Sequence, residues 1–186
     1  SPDSKQMFVP AFGAVYAMDL NTTSGATPAY MISNNDTGVS VMNFPKEVVI
    51  NDAGTLLVIP STKGVVLFDR DSESGDLVLR QEIPSSDPMF QGVYFGSVSA
   101  LHFVENDARI LFTVGQGVFW LKESVDTGLW SVDRSIIPNS LGGDFPGDYY
   151  SFNGLVFTET FAEDTHVLIY GEKSKTGVYV FEVAAP

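Results

Sequence analysis

The sequence predicts an all-β fold, a β-propeller built of four-stranded antiparallel blades. Three observations carry that reading. Four segments repeat one pattern: "QMFVPAFGAVYAMDLNTTSGATPAYMI", "TLLVIPSTKGVVLFDRDSESGDLVLRQEI", "RILFTVGQGVFWLKESVDTGLWSV" and "THVLIYGEKSKTGVYVFEV". Their apolar runs are short and rich in β-branched and aromatic residues, with no period of 3.6 showing through. Glycine recurs at matching turn positions, where positive φ costs it nothing.

Each repeat has an apolar run, a small turn ending in Gly or Ala, and a second run. In the first three a further turn follows, ending at Gly25, Gly75 or Gly128. The units lie roughly 50 to 60 residues apart, close to the period of propeller blades. One more apolar run precedes the last three: "KEVVIN", "SVSALHFV" and "FNGLVFT". A full unit is therefore four strands, A to D, in up-and-down order. Strand A, the most apolar and shortest, is expected innermost.

The four blade units span approximately 1–33, 45–83, 97–136 and 152–183 of a single propeller domain. The first lacks strand A and the last lacks strand D, about fourteen strands in all. A blade cannot bury both faces alone, so the arc is expected to be completed by a second chain segment or by self-association. Closure on itself as a small four-bladed ring is the alternative.

Composition sets the boundaries on function. Of 186 residues 44% are hydrophobic and 12% aromatic, and mean hydropathy is +0.10, which suits a packed globule. Net charge is −13. Such a surface repels phosphate backbones and anionic lipid, so neither nucleic acid nor a membrane is an expected partner. Ser1 opens on a polar stretch, which predicts no signal peptide, and no apolar run approaches a membrane span. Cysteine is absent, which excludes disulfides, thiolate catalysis and Cys-ligated zinc. Asn21 and Asn35 open Asn-x-Thr sequons in expected turns.

From Pro45 the chain reads "PKEVVINDAGTLLVIPSTKGVVLFDRDSESGDL". This resembles the lactonase-type seven-bladed propellers, the family of 6-phosphogluconolactonase and fungal carboxy-muconate cyclase. "SPDSKQMFVPAFGAVYAMDLNTTSGA" resembles the same blade pattern with its front removed. The likeness covers Ser1–Ser33 and Pro45–Ile83, and the later units in outline. Blades of that family often carry an Arg-His pair after the proline that opens strand A. The matching pairs here are Lys46-Glu47 and Val98-Ser99, neither with an imidazole.

Two functions from different classes follow. In the first, an extracellular or periplasmic propeller binds a small molecule, glycan or protein partner on its loop-rich face. The D-to-A and B-to-C connections emerge together there, and long loops in a compact domain usually have a role. Phe90, Tyr94, Asp148, Tyr149 and Tyr150 lie in the D-to-A connections, with Lys63 and Gln116 in the B-to-C turns. Rings beside carboxylates suit sugar or small-molecule recognition. Channel plugging or packing between blades is the competing explanation for the rings.

In the second, which the resemblance implies, a lactonase or cyclase opens or closes a cyclic ester at the channel mouth. Glu47 beside Lys46 is then the base and cation. His102 and His166 both fall in apolar strands, where a hydrogen-bonded structural role is usual; His102 is retained as a catalytic candidate. No cofactor or metal is expected, since neither histidine has a second ligand near it in sequence. "DRDSESGD" resembles a calcium loop, but its glycine falls one position late and no Glu closes it.

Overall fold

The computed structural model describes residues 1–21, 23–34, 38–90, 98–104, 106–114, 117–136, 152–159, 164–171 and 177–184. For 98, 99, 136 and those from 152 onward it describes backbone alone. Four antiparallel sheets follow one another along the chain. The first holds β1 (Gln6–Ala11), β2 (Ala14–Asn21) and β3 (Gly25–Ser33); the second β4 (Val49–Ile50), β5 (Leu56–Ser61), β6 (Gly64–Arg70) and β7 (Leu77–Pro84). The third holds β8 (Val98–Val104), β9 (Arg109–Val114), β10 (Gly117–Glu123) and β11 (Trp130–Ile136). The fourth holds β12 (Phe152–Glu159), β13 (Asp164–Gly171) and β14 (Gly177–Ala184). Strands pair in chain order in every sheet. These are strands B–C–D, A–B–C–D, A–B–C–D and A–B–C, as the repeat predicted.

Strand A departs from expectation in length. β4 has two residues, but β8 has seven and β12 eight, as long as their neighbours. Length therefore does not mark the innermost strand.

In the second and third blades strands B and C read as nearly unbroken apolar runs because they bury both faces. Around β5 and β6 the alternation of side chains assigns odd and even positions to separate cores. Leu57, Ile59, Val66 and Phe68 pack with Val15 and Ile32 of the first blade, joined by Leu77 and Leu79. Leu56, Val58, Val65, Leu67 and Ile83 pack with Leu101, Ile110, Phe112, Phe119 and Trp130 of the third.

Polar side chains tie the blades together. The buried Arg70 guanidinium donates from Nε to Gln6 Oε1, from Nη1 to the Gly54 carbonyl and from Nη2 to Asp3 Oδ2, each at 3.0 Å. Tyr30 donates its hydroxyl to the Gly75 carbonyl at 2.9 Å. Glu82 accepts the Ser40 and Val41 N–H groups, and Arg80 pairs with Glu123 of the third blade.

The C-to-D turns of the first three blades share one construction. Asn21 and Asp71 each accept two backbone N–H groups through a side-chain oxygen, and Ser124 accepts one. This local bonding is what Asx and Ser turns offer. The closing Gly25, Gly75 and Gly128 sit at φ +78°, +81° and +67°, as predicted. Each of the three C–D ladders also slips by one residue, leaving Ala29, Arg80 and Asp133 as the extra residue of a bulge.

Candidate functional site

The inner edge of the arc is formed by strand A of successive blades, with β4 against β8 and β8 against β12. An edge strand presents backbone groups with no ladder partner. Glu47 stands just ahead of β4 and accepts one of them, the N–H of Leu101 in β8. The next residue of β8 is His102, which lies opposite Leu111 in the ladder and is solvent-exposed. Burial pushes the Glu47 carboxyl above the ordinary carboxylate range, and the charge of His102 and the Leu101 N–H pull it partly back. The structure thus unites two sequence-predicted residues, Glu47 and His102, that are 55 positions apart. Lys46 is exposed beside them in the chain.

Chemically this is a half-buried carboxylate with raised proton affinity in the field of an imidazole. It can accept a proton from a bound hydroxyl or water, or return one, closer to neutrality than a solvated glutamate would.

Just outside the pair lies the face carrying the B-to-C and D-to-A connections. Lys63 is exposed in the β5–β6 turn; its N–H donates to Ser61 Oγ at 3.1 Å and its carbonyl accepts from Ser85 N–H at 2.8 Å. Phe90 is not on this rim, which corrects the sequence reading. A single 3-10 turn, Pro88–Phe90, dips the D-to-A connection inward, and Phe90 is 1% exposed. Its ring meets Phe119 and Phe112 edge-on at 5.3 and 6.1 Å. It is a core residue between the second and third blades. Tyr94, Gln116, Asp148, Tyr149 and Tyr150 lie outside the described residues.

Sequence reasoning missed Phe12. It occupies the β1–β2 turn, the station of Thr62 in the next blade, and is 84% exposed. Its ring stands edge-on to Phe44 with centroids 4.4 Å apart. A large apolar side chain in a two-residue turn was the available signal.

No family model and no curated protein matches the chain. Solved structures do. The periplasmic gluconolactonase PpgL of Pseudomonas aeruginosa superposes with TM-score 0.57 at 11% identity, over 72% of this chain and 37% of its own. A Bacteroides fragilis protein described as a candidate 6-phosphogluconolactonase gives 0.60 at 14%, over 99% and 53%. The Cps50 (Swd1) β-propeller domain of Myceliophteria thermophila gives 0.63 at 14%, over 96% and 54%. The fold is a β-propeller. Its solved neighbours include lactonase-type propellers, as the blade motifs implied, and at these identities the likeness establishes fold alone. The chain spans between 37% and 54% of these three structures. Among the described residues no helix is long and apolar enough to cross a membrane.

Proposed function

We propose that the chain forms part of the wall of a ligand-binding channel mouth and binds a small hydroxylated molecule there. The observation that carries this reading is the Glu47 carboxylate, held on the open edge of β8 beside His102. A carboxylate and an imidazole on one wall accept and donate to hydroxyl groups, and the exposed Lys46 and Lys63 add donors at the rim. The strongly acidic surface favours a neutral ligand over an anion. A periplasmic or extracellular location fits the periplasmic gluconolactonase among the neighbours.

A thermal-shift screen of neutral sugars, polyols and aldonolactones tests it. The ligand should raise the melting temperature of the chain and have little effect on Glu47→Gln or His102→Ala. No shift with any compound, or equal shifts in both variants, would end this reading.

A second reading has its own support in the raised proton affinity of Glu47 and in the lactonase-type neighbours. Here Glu47 removes a proton from water as the water oxygen attacks a lactone carbonyl. The ring C–O bond then breaks, and its oxygen takes a proton to give the open hydroxy acid. Lys46 or the His102 imidazole would face the developing oxyanion. Hydrolysis of glucono-1,5-lactone faster than the buffer rate, lost in Glu47→Gln, is the expected result. A rate equal to buffer rules it out.

A further inference from the structure

Phe12 and Phe44 are, among the described residues, the two phenylalanines that stand exposed, at 84% and 41%. They come from different elements, the β1–β2 turn and the connection into β4, yet their rings meet edge-on at 87°. Phe44 holds φ +50°, a left-handed conformation that a bulky side chain rarely adopts. It also precedes Pro45, and a residue before proline favours extended backbone. The surrounding structure enforces the strain. The Asn43 carbonyl accepts both the N–H and the Oγ1–H of Thr62, at 2.9 and 3.0 Å, and Pro45 is buried. A strained conformation that presents a ring to solvent, with no core to gain from it, is the pattern of a binding residue.

We propose that the exposed Phe12 ring, buttressed edge-on by Phe44, is an aromatic platform on which the carbon face of a neutral six-membered polyol ring stacks, a pyranose or an aldonolactone. The inference deepens the channel-mouth reading and rests on it for the ligand class. Phe44 and Glu47 are three residues apart, so their Cα atoms lie within about 11 Å. A ring on the platform therefore sits at the same mouth as the acid–base pair. The surroundings of the platform are polar: Asn43, Thr62 and the exposed Lys63 and Lys46. These groups suit hydroxyls around a ring better than the apolar side chains of a docking peptide. Because the rings stand at 87°, one ligand face stacks on one of them while the other supports it edge-on, and stacking on a π-face needs no charge on the ligand.

Saturation-transfer NMR on the chain, with methyl β-D-glucopyranoside as ring probe and the neutral D-glucitol as open-chain control, tests the platform. The ring C–H protons of the glucoside should receive saturation from the protein, and those of glucitol far less. Phe12→Ala and Phe44→Gly should each weaken the signal at least tenfold. Phe44→Gly should leave the melting temperature unchanged or raised, since glycine accepts that backbone freely. Should Phe44→Gly misfold, Phe12→Ala decides alone, because so exposed a ring carries little packing. Absence of a signal in the unaltered chain, or equal signals in Phe12→Ala, overturns the platform. A signal lost in Glu47→Gln yet kept in both Phe variants also overturns it, while the channel-mouth reading stands. A signal lost in the Phe variants and kept in Glu47→Gln supports the platform, even where no sugar distinguishes Glu47→Gln in the thermal screen and that reading fails.

Discussion

The side-chain amide of Gln81 pairs with the backbone of Trp130 as a neighbouring strand would. Gln81 Nε2 donates to the Trp130 carbonyl at 2.9 Å, and Gln81 Oε1 accepts the Trp130 N–H at 2.7 Å. Trp130 is buried, at the edge of the core between the second and third blades. Gln81→Leu leaves both backbone groups without a partner, a cost of about 1–3 kcal/mol for each that stays dry. The urea midpoint should fall markedly. Gln81→Glu keeps the acceptor and loses the donor, so its midpoint should lie between the two.

The closing glycine of the second C-to-D turn is confined as well as left-handed. A Cβ on Gly75 would lie 2.5 Å from Gln6 Nε2, and Gln6 is held by Arg70 and Asp19. At Gly25 a Cβ would meet nothing within 4 Å. Gly25→Ala should cost about 1 kcal/mol, the price of the backbone conformation alone. Gly75→Ala should cost clearly more, and Gly75→Val more again. Equal losses at the two glycines in chemical denaturation would mean that Gln6 swings aside.

Glu47 predicts a pH dependence of definite sign. Its folded pKa is raised above the ordinary 4.5, so the unfolded chain releases this proton first. Its contribution is fully present below pH 4.5 and is lost as pH rises through the folded value, remaining level above it. Glu47→Gln removes the ionisation and keeps an acceptor for the Leu101 N–H. The variant should gain stability relative to the parent above that window and match it below. Melting curves at matched ionic strength from pH 4 to pH 8 measure the difference, and a constant offset would refute it.

Phe90→Ala should destabilise by about 3–5 kcal/mol, the range for a buried aromatic ring. Calorimetry showing a change under 1 kcal/mol would contradict its place against Phe112 and Phe119.

Val9, Tyr16 and Met31 form one cross-strand row on the first blade, exposed at 38%, 40% and 46%. The hairpin registers place Val9 and Tyr16 at the stations of Ile59 and Val66 in the second blade and of Phe112 and Phe119 in the third. Those four residues are completely buried against the preceding blade. We expect this face to be covered by another blade-like sheet, and the chain by itself to self-associate through it. Tyr16→Lys with Met31→Lys should shift sedimentation toward a monomer. A parent chain that already sediments as a compact monomer would exclude the association.

Strands B and C of the second and third blades were legible because both their faces are dry. Leu56–Ser61 and Gly64–Arg70 are written almost wholly in apolar residues, and the turns between them carry their own chemistry. Phe90 was misplaced because a long connection was taken to mean a rim. The Asp-Pro pair at Asp87–Pro88 was the contrary signal: Asp87 Oδ1 accepts the Met89 N–H at 3.0 Å and starts the turn that carries Phe90 inward. The individual candidates Glu47 and His102 were readable, but not their meeting. It depends on how β4 sits against β8, a relation between blades that no local pattern encodes.

The bulges in the outer strands have a consequence for how this molecule tolerates length changes. Leu77 and Leu79 face the first blade, whereas Ile83, an even number of residues further on, faces the third. Strict alternation would put all three on one side. Arg80 is the extra residue that changes the phase between them, and Ala29 and Asp133 hold the equivalent place in their own strands. The outer strand β7 is thus a splice of two reading frames, its first half written for one neighbour and its second half for the other. Deleting Arg80 would leave a regular ladder, with Leu79 still opposite Phe68 and Leu77 and Leu79 still facing the first blade. Only the bulge and the Arg80 contacts to Asp69, Glu123 and Gly128 would be lost. Substitution or loss of the extra residue is a local matter, while loss of a paired residue such as Val78 is a frameshift in three dimensions.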